Sequence, residues 1–111
     1  VANVQSVSID TIRSLASASI GATYSPIGGP FLNPVRLFII VNNTDGDMFA
    51  SDDGVNNKMF IAAGTTRVLD LNTNRVNQQQ YWVFPANTQI YIKYSTMPTK
   101  EAVYLEAYWG Q

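Results

Sequence analysis

Val35-Arg36-Leu37-Phe38-Ile39-Ile40-Val41-Asn42, running into Asn43-Thr44-Asp45-Gly46, decides the fold. A run of β-branched and aromatic residues that ends in a cluster of turn formers reads as a β-strand closed by a tight turn. On strict alternation Val35, Leu37, Ile39 and Val41 share one face, with Phe38 and Ile40 opposite, between Arg36 and Asn42. A strand apolar on both sides normally lies between two layers. The face of Phe38 and Ile40 is therefore expected to be covered, either by the N-terminal segment or by another chain.

The same texture continues to the C-terminal end. Strands are expected at Val35–Asn42, Asp47–Ser51, Lys58–Ala62, Thr66–Leu71, Tyr81–Phe84, Gln89–Ser95 and Ala102–Trp109, each bounded by Asn, Asp, Gly or Pro. Their spacing leaves no room for crossover helices, which disfavours a parallel sheet. The expectation is an all-β fold, an antiparallel β-sandwich of jelly-roll or immunoglobulin-like type with an extended N-terminal arm. Residues 1–34 form that arm, as part of the same domain, and 35–111 form the sandwich core. The arm is rich in Ser and Ala and ends in Pro26-Ile27-Gly28-Gly29-Pro30. Its residues alternate at strand spacing as readily as they line a helix face, and extended structure is the favoured reading.

Composition removes most chemistry. The 111 residues include no His and no Cys, so imidazole catalysis, thiol nucleophiles and the usual zinc, haem and iron–sulfur ligand sets are excluded. Carboxylates remain, but Asp45, Asp47, Asp52 and Asp53 fall in turns beside glycines, with no sign of the burial that would raise a pKa. The same four invite a calcium reading; Asn43-Thr44-Asp45-Gly46-Asp47-Met48 lacks the glycine placement and terminal Glu of an EF-hand loop, so tight turns are the plainer reading. No catalytic, cofactor or metal residue is assigned, and the chain is not read as an enzyme. The seven basic residues are scattered singly, which argues against nucleic acid as a partner. The longest apolar run, Leu37 to Val41, is far short of the roughly 20 residues of a membrane helix, and no leader is visible, so no membrane partner is expected.

Only 14% of residues are charged and the net charge is −1, while ten Asn and six Gln supply much of the polar surface. Such a surface resists self-association poorly, and a homo-oligomer is expected. Near the C-terminus Val103, Leu105, Ala107 and Trp109 alternate with Tyr104, Glu106 and Tyr108. A hairpin through Met97-Pro98-Thr99-Lys100 would set Lys93 near Glu106 and Tyr91 beside a tyrosine, giving one tyrosine-rich outer stripe. The candidate interface residues are Tyr91, Tyr104, Tyr108, Phe38, Ile40 and the arm's Tyr24.

Taken together, Asn42-Asn43-Thr44-Asp45-Gly46-Asp47-Met48-Phe49, Ser51-Asp52-Asp53-Gly54, Ala62-Ala63-Gly64, Val68-Leu69-Asp70-Leu71, Lys93-Tyr94-Ser95-Thr96-Met97-Pro98-Thr99-Lys100 and Val103-Tyr104-Leu105-Glu106 resemble small structural proteins of tailed bacteriophages and prophages. The resemblance extends to Ser8-Ile9-Asp10-Thr11-Ile12-Arg13-Ser14-Leu15 and Gly21-Ala22-Thr23-Tyr24. It implies a β-sandwich building block of the virion, a capsid decoration (cement) protein or a head–tail neck component, and it carries over no functional residue. On this reading the chain self-associates and docks on another virion protein, such as the major capsid or neck protein. Its arm would order on a neighbour by adding strands to an exposed edge, so that removing residues 1–30 leaves a soluble β-rich fold. The alternative is a module that recognises host-surface carbohydrate through tyrosines and acidic turns.

Overall fold

Alternation in the last strand organises the structure, a computed structural model that describes residues 7–70 and 84–110. Strand β9 (Ala102–Gly110) turns Val103, Leu105 and Ala107 inward, each fully buried. One edge of β9 pairs antiparallel with β4 (Val35–Asn42); the other takes β1 (Val7–Ile9) and then β2 (Arg13–Ala16). Between Ile9↔Tyr108 and Arg13↔Leu105, residues 10–12 stand against 106–107, and the Asp10 N–H donates to the Ala107 carbonyl at 2.8 Å. β1 and β2 are thus one interrupted strand. After β2 the chain makes a short 3₁₀ turn, Ser17–Ser19.

The first sheet runs β1/β2-β9-β4-β7, with β7 at Thr66–Asp70. The second runs β3-β8-β5-β6, with β3 at Ser25–Pro26, β5 at Met48–Ser51, β6 at Met59–Ile61 and β8 at Tyr91–Tyr94. With β1/β2 counted as one strand, the orders become 1-8-3-6 and 2-7-4-5. Among the described strands, β5 and β6 alone form a hairpin, and every other pair of consecutive strands belongs to different sheets. This is a jelly roll. The expected Leu71 and residues 81–83 lie outside the described residues; Phe84 makes an antiparallel bridge to Val35.

Three expectations are corrected. First, β4 carries a bulge: Val35 faces Trp109 and Leu37 faces Tyr108, so Arg36 is the extra residue between two adjacent positions of β9. One extra residue reverses the parity of everything beyond it. Phe38, Ile40 and Asn42 therefore join Val35 inside the sandwich, at 2%, 1%, 0% and 0% exposure, and Leu37, Ile39 and Val41 face outward. Phe38 and Ile40 are core residues, covered by the second sheet. Phe38 packs on Phe84 with ring centroids 5.1 Å apart.

Second, β8 and β9 do not form a hairpin. The connection from 95 to 101 arches from one sheet to the other. The Ser95 and Thr96 N–H groups donate to the Asp47 carbonyl, the Thr99 N–H and hydroxyl donate to the Asp45 carboxylate, and Glu101 takes φ 67°. Lys93 pairs with Phe49 and Glu106 with Ile39, on opposite sheets.

Third, the described part of the arm, expected to add strands to the edge of a neighbour, adds them to the sheets of the same chain. It supplies β1/β2 to the β9 edge and β3 to the β8 edge, and it buries Ile20, Ile27 and Phe31. Arg13 pins it. Its guanidinium donates to the carbonyls of Thr11, Gly29 and Pro30, pairs with Asp10 at 3.2 Å and lies 5.0 Å from the centre of the Phe31 ring. Gly28, at φ 66°, lies against the Arg13 methylenes; a Cβ there would come within 2.6 Å of the arginine Cγ.

Candidate interaction surface

Sheet register decides which side chains meet on each outer face. On the first sheet, Tyr104, Glu106 and Tyr108 of β9 stand opposite Val41, Ile39 and Leu37 of β4, which in turn face Thr66, Val68 and Asp70 of β7. On the other side of β9, Ile9 faces Tyr108 and Ser14 faces Tyr104. Ile9, Ile12 and Val68 are 68%, 56% and 60% exposed. The result is a broad aliphatic and tyrosine surface with a carboxylate at its middle. Glu106 accepts a long contact from the Tyr108 hydroxyl at 3.4 Å and has no cationic partner among the described residues.

The outer face of the second sheet is aromatic. Phe49 and Phe60, cross-strand partners, pack edge to face with centroids 5.6 Å apart. The Lys93 ammonium lies 4.9 Å from the centre of the Tyr24 ring and 5.8 Å from that of Phe49, an arrangement that suits a cation against π faces. No carboxylate pairs with Lys93 among the described residues. The Tyr24 hydroxyl donates to Asn57 Oδ1 at 2.7 Å, and its pKa is raised by burial and by the nearby Asp53 charge. Tyr91 lies under the 51–56 turn, where Gly54, at φ 73°, sits against its ring.

The predicted interface residues thus separate into three places. Tyr104 and Tyr108 lie on the first face, Tyr24 and Tyr91 on the second, and Phe38 and Ile40 in the core, so these tyrosines do not form one stripe. Leu37, Ile39 and Val41 belong to the first face, although alternation counted from Val35 puts them inside. Phe49 and Phe60 were readable only as strand residues until pairing placed Phe49 beside Lys93 and Phe60 beside Phe49.

The acidic turns are tied to protein groups. Asp47 Oδ1 accepts the Ala63 N–H, Asp52 pairs with Lys58 at 3.1 Å, and Asp45 is held below the usual carboxylate range by the Thr99 hydroxyl and N–H. Asp53 is pulled furthest down, first by the Ser51 hydroxyl and then by the Asn56 and Val55 N–H groups. A carboxylate with a depressed folded-state pKa stabilises its turn fully above the unfolded value, about 3.9, and loses that contribution as pH falls toward the folded one. The 51–56 turn is therefore expected to loosen progressively as pH falls below about 4, with declining amide protection at Val55 and Asn56 in NMR exchange experiments. Asp53→Asn should bring that loss to neutral pH. Retained protection in Asp53→Asn counts against this account.

A cleft of about 200 Å³ opens between the sheets, walled by Phe38, Ile40, Met59, Leu69 and Phe84, and its charged side chains, Asp52 and Lys58, pair with each other. Ser51 also lines it, with its hydroxyl donating to Asp53 Oδ1 at 2.6 Å. No family model, curated protein or solved structure matches this chain.

Proposed function

We propose that the protein is a structural component of a tailed-phage virion, a capsid decoration (cement) or head–tail neck protein that docks on a larger virion protein and on copies of itself. The sequence resemblance supports this reading, and so does a jelly-roll fold, an architecture that recurs in viral capsid proteins and also in lectins. One observation carries it: the outer face of the first sheet is apolar and uncovered. The largest apolar patch on a protein surface is often a contact site, and on this one Ile9 and Val68 are 68% and 60% exposed. Transferring an exposed Ile or Val side chain fully from water yields roughly 1.5–3 kcal/mol, so Ile9, Ile12 and Val68, with a smaller share from the half-buried Leu37 and Ile39, can offset several kcal/mol of association cost. In a shell or ring that contact repeats many times, and its gains accumulate in the assembled particle.

The test is particle composition. Antibody against the protein should label virions made by the encoding phage in electron micrographs, and Val68→Asp should lower its occupancy at least about tenfold through one desolvated carboxylate. Val68 is 60% exposed, so the variant's melting temperature should stay close to wild type. Unlabelled virions, or full occupancy by Val68→Asp, overturn the proposal.

A further inference from the structure

Among the described residues, the two outer faces each carry one charged side chain without an oppositely charged partner, and the two have opposite sign. Glu106 stands at the centre of the first face, between Tyr104 and Tyr108 and opposite Ile39. Lys93 stands on the second face between the rings of Tyr24 and Phe49. Other charges near these faces are already engaged. Arg36 at the bulge and Asp70 at the end of β7 both have partners, and Asp52 and Asp53 are joined to Lys58. Expected within one chain from the sequence, a Lys93–Glu106 pair is ruled out there, because the two residues lie on opposite sides of the sandwich.

We infer that copies of this chain stack front to back, the first-sheet face of one on the second-sheet face of the next, with Glu106 opposite Lys93 of the neighbouring copy. This rests on the proposed assembly role and specifies the contact. Two-fold pairing about an axis through Glu106 sets Glu106 against Glu106, and pairing of the second face about Lys93 sets Lys93 against Lys93. Like charges pressed together in an apolar contact are destabilising. Front-to-back contact removes both conflicts and lays the aliphatic face on the aromatic one, in the aligned geometry of two packed sheets. A contact between two different faces repeats without using itself up, so it closes into a ring or grows into a filament. Four strands about 4.8 Å apart and about five residues long give each face a flat area of only about 300 Å². Stable pairs usually bury roughly 800 Å² per partner, so a single contact is weak and assembly builds with concentration.

Sedimentation velocity up to about 1 mM tests this, since that concentration populates weak contacts. Wild type should show mass rising to oligomers. Lys93→Glu alone and Glu106→Lys alone should each weaken assembly about tenfold or more, and the double variant should restore it. An equimolar mixture of the two single variants should also assemble, because each supplies a face complementary to the other's; the loss in both single variants and its rescue in the double one separate this contact from a two-fold one, in which only one of the two residues takes part. Thermal melts establish that every variant is folded. Wild type that stays monomeric, single variants with wild-type mass, or a double variant without rescue each overturn the inference. Such failure with the protein present in virions leaves the virion role standing. Charge-dependent stacking with the protein absent from virions removes the role and keeps the contact.

Discussion

A chain that starts at Phe31 should not fold. Removing residues 1–30 deletes β1, β2 and β3, strips one edge each from β9 and β8, and removes Ile20 and Ile27 from the core. The two isoleucines alone account for roughly 1.5–3 kcal/mol each, and the exposed inner faces of Val103, Leu105 and Ile92 add to the loss. The lost strands also leave a row of backbone donors and acceptors on β9 and β8 without partners. Against a total stability of about 5–15 kcal/mol for a domain of this size, nothing cooperative should remain. Circular dichroism should show no sigmoidal melt, and NMR amide dispersion should collapse. A truncated chain with a cooperative transition would restore the view of residues 1–30 as a detachable arm. A milder variant tests the same attachment: Arg13→Ala leaves Asp10, 10% exposed as a side chain, without its ion partner and three carbonyls without their donor. Breaking such a pair costs roughly 3–5 kcal/mol, read as a lower urea midpoint with an unchanged slope.

Local patterns carried the strands, and long-range pairing carried the rest. Val35–Asn42 is a strand with the same ends in sequence and structure, because β-branched content and the Asn43-to-Gly46 turn are local signals. Which of its faces is buried is a different matter. The bulge at Arg36 has no signature among its neighbours; it exists because Val35 must meet both Trp109 and the Phe84 bridge. One inserted residue then sent Phe38 and Ile40 inside and Leu37, Ile39 and Val41 outside. Tyr104 and Tyr108 were legible as outward residues, since alternation in β9 runs unbroken. Their separation from Tyr91 was not, because Met97-Pro98-Thr99-Lys100 can serve a hairpin or an arch equally well. Contacts such as Asp45 with Thr99, 54 residues apart, select the arch. The arm's extended structure was readable from its alternation, whereas its docking on β9 and β8 depends on where those edges lie. The surplus of apolar residues on β4 did point to two covered faces, one of which the second sheet covers.

Asn42→Ala should cost about 3–5 kcal/mol, among the largest losses from a single side chain here. Asn42 is fully buried at the end of β4, and its amide nitrogen lies 2.9, 3.0 and 3.2 Å from the carbonyls of Gly46, Ile61 and Ala62. With two hydrogens for three acceptors, one is shared. Its Oδ1 accepts from both the N–H and the hydroxyl of Thr44. Alanine leaves these groups unsatisfied in a site where each lost partner costs about 1–3 kcal/mol, and relaxation of the turn recovers only part of that. Gly46→Ala attacks the same junction sterically: its Cβ would lie 2.2 Å from the Thr96 carbonyl oxygen, a backbone atom that cannot rotate away. The 95–101 arch must then move off the 42–47 turn, at roughly 3 kcal/mol or more, beyond ordinary overpacking. Both changes break one shared network, so the double variant should lose clearly less than the sum of the two, a non-additivity readable in urea melts. Additive losses, or an Asn42→Ala variant within about 1 kcal/mol of wild type, would show that the junction is not held as a unit. The consequence reaches the surface, since Val41 and Tyr104 leave this junction directly for the first-sheet face. A loosened Asn42 end should therefore weaken assembly even though no contact residue has changed.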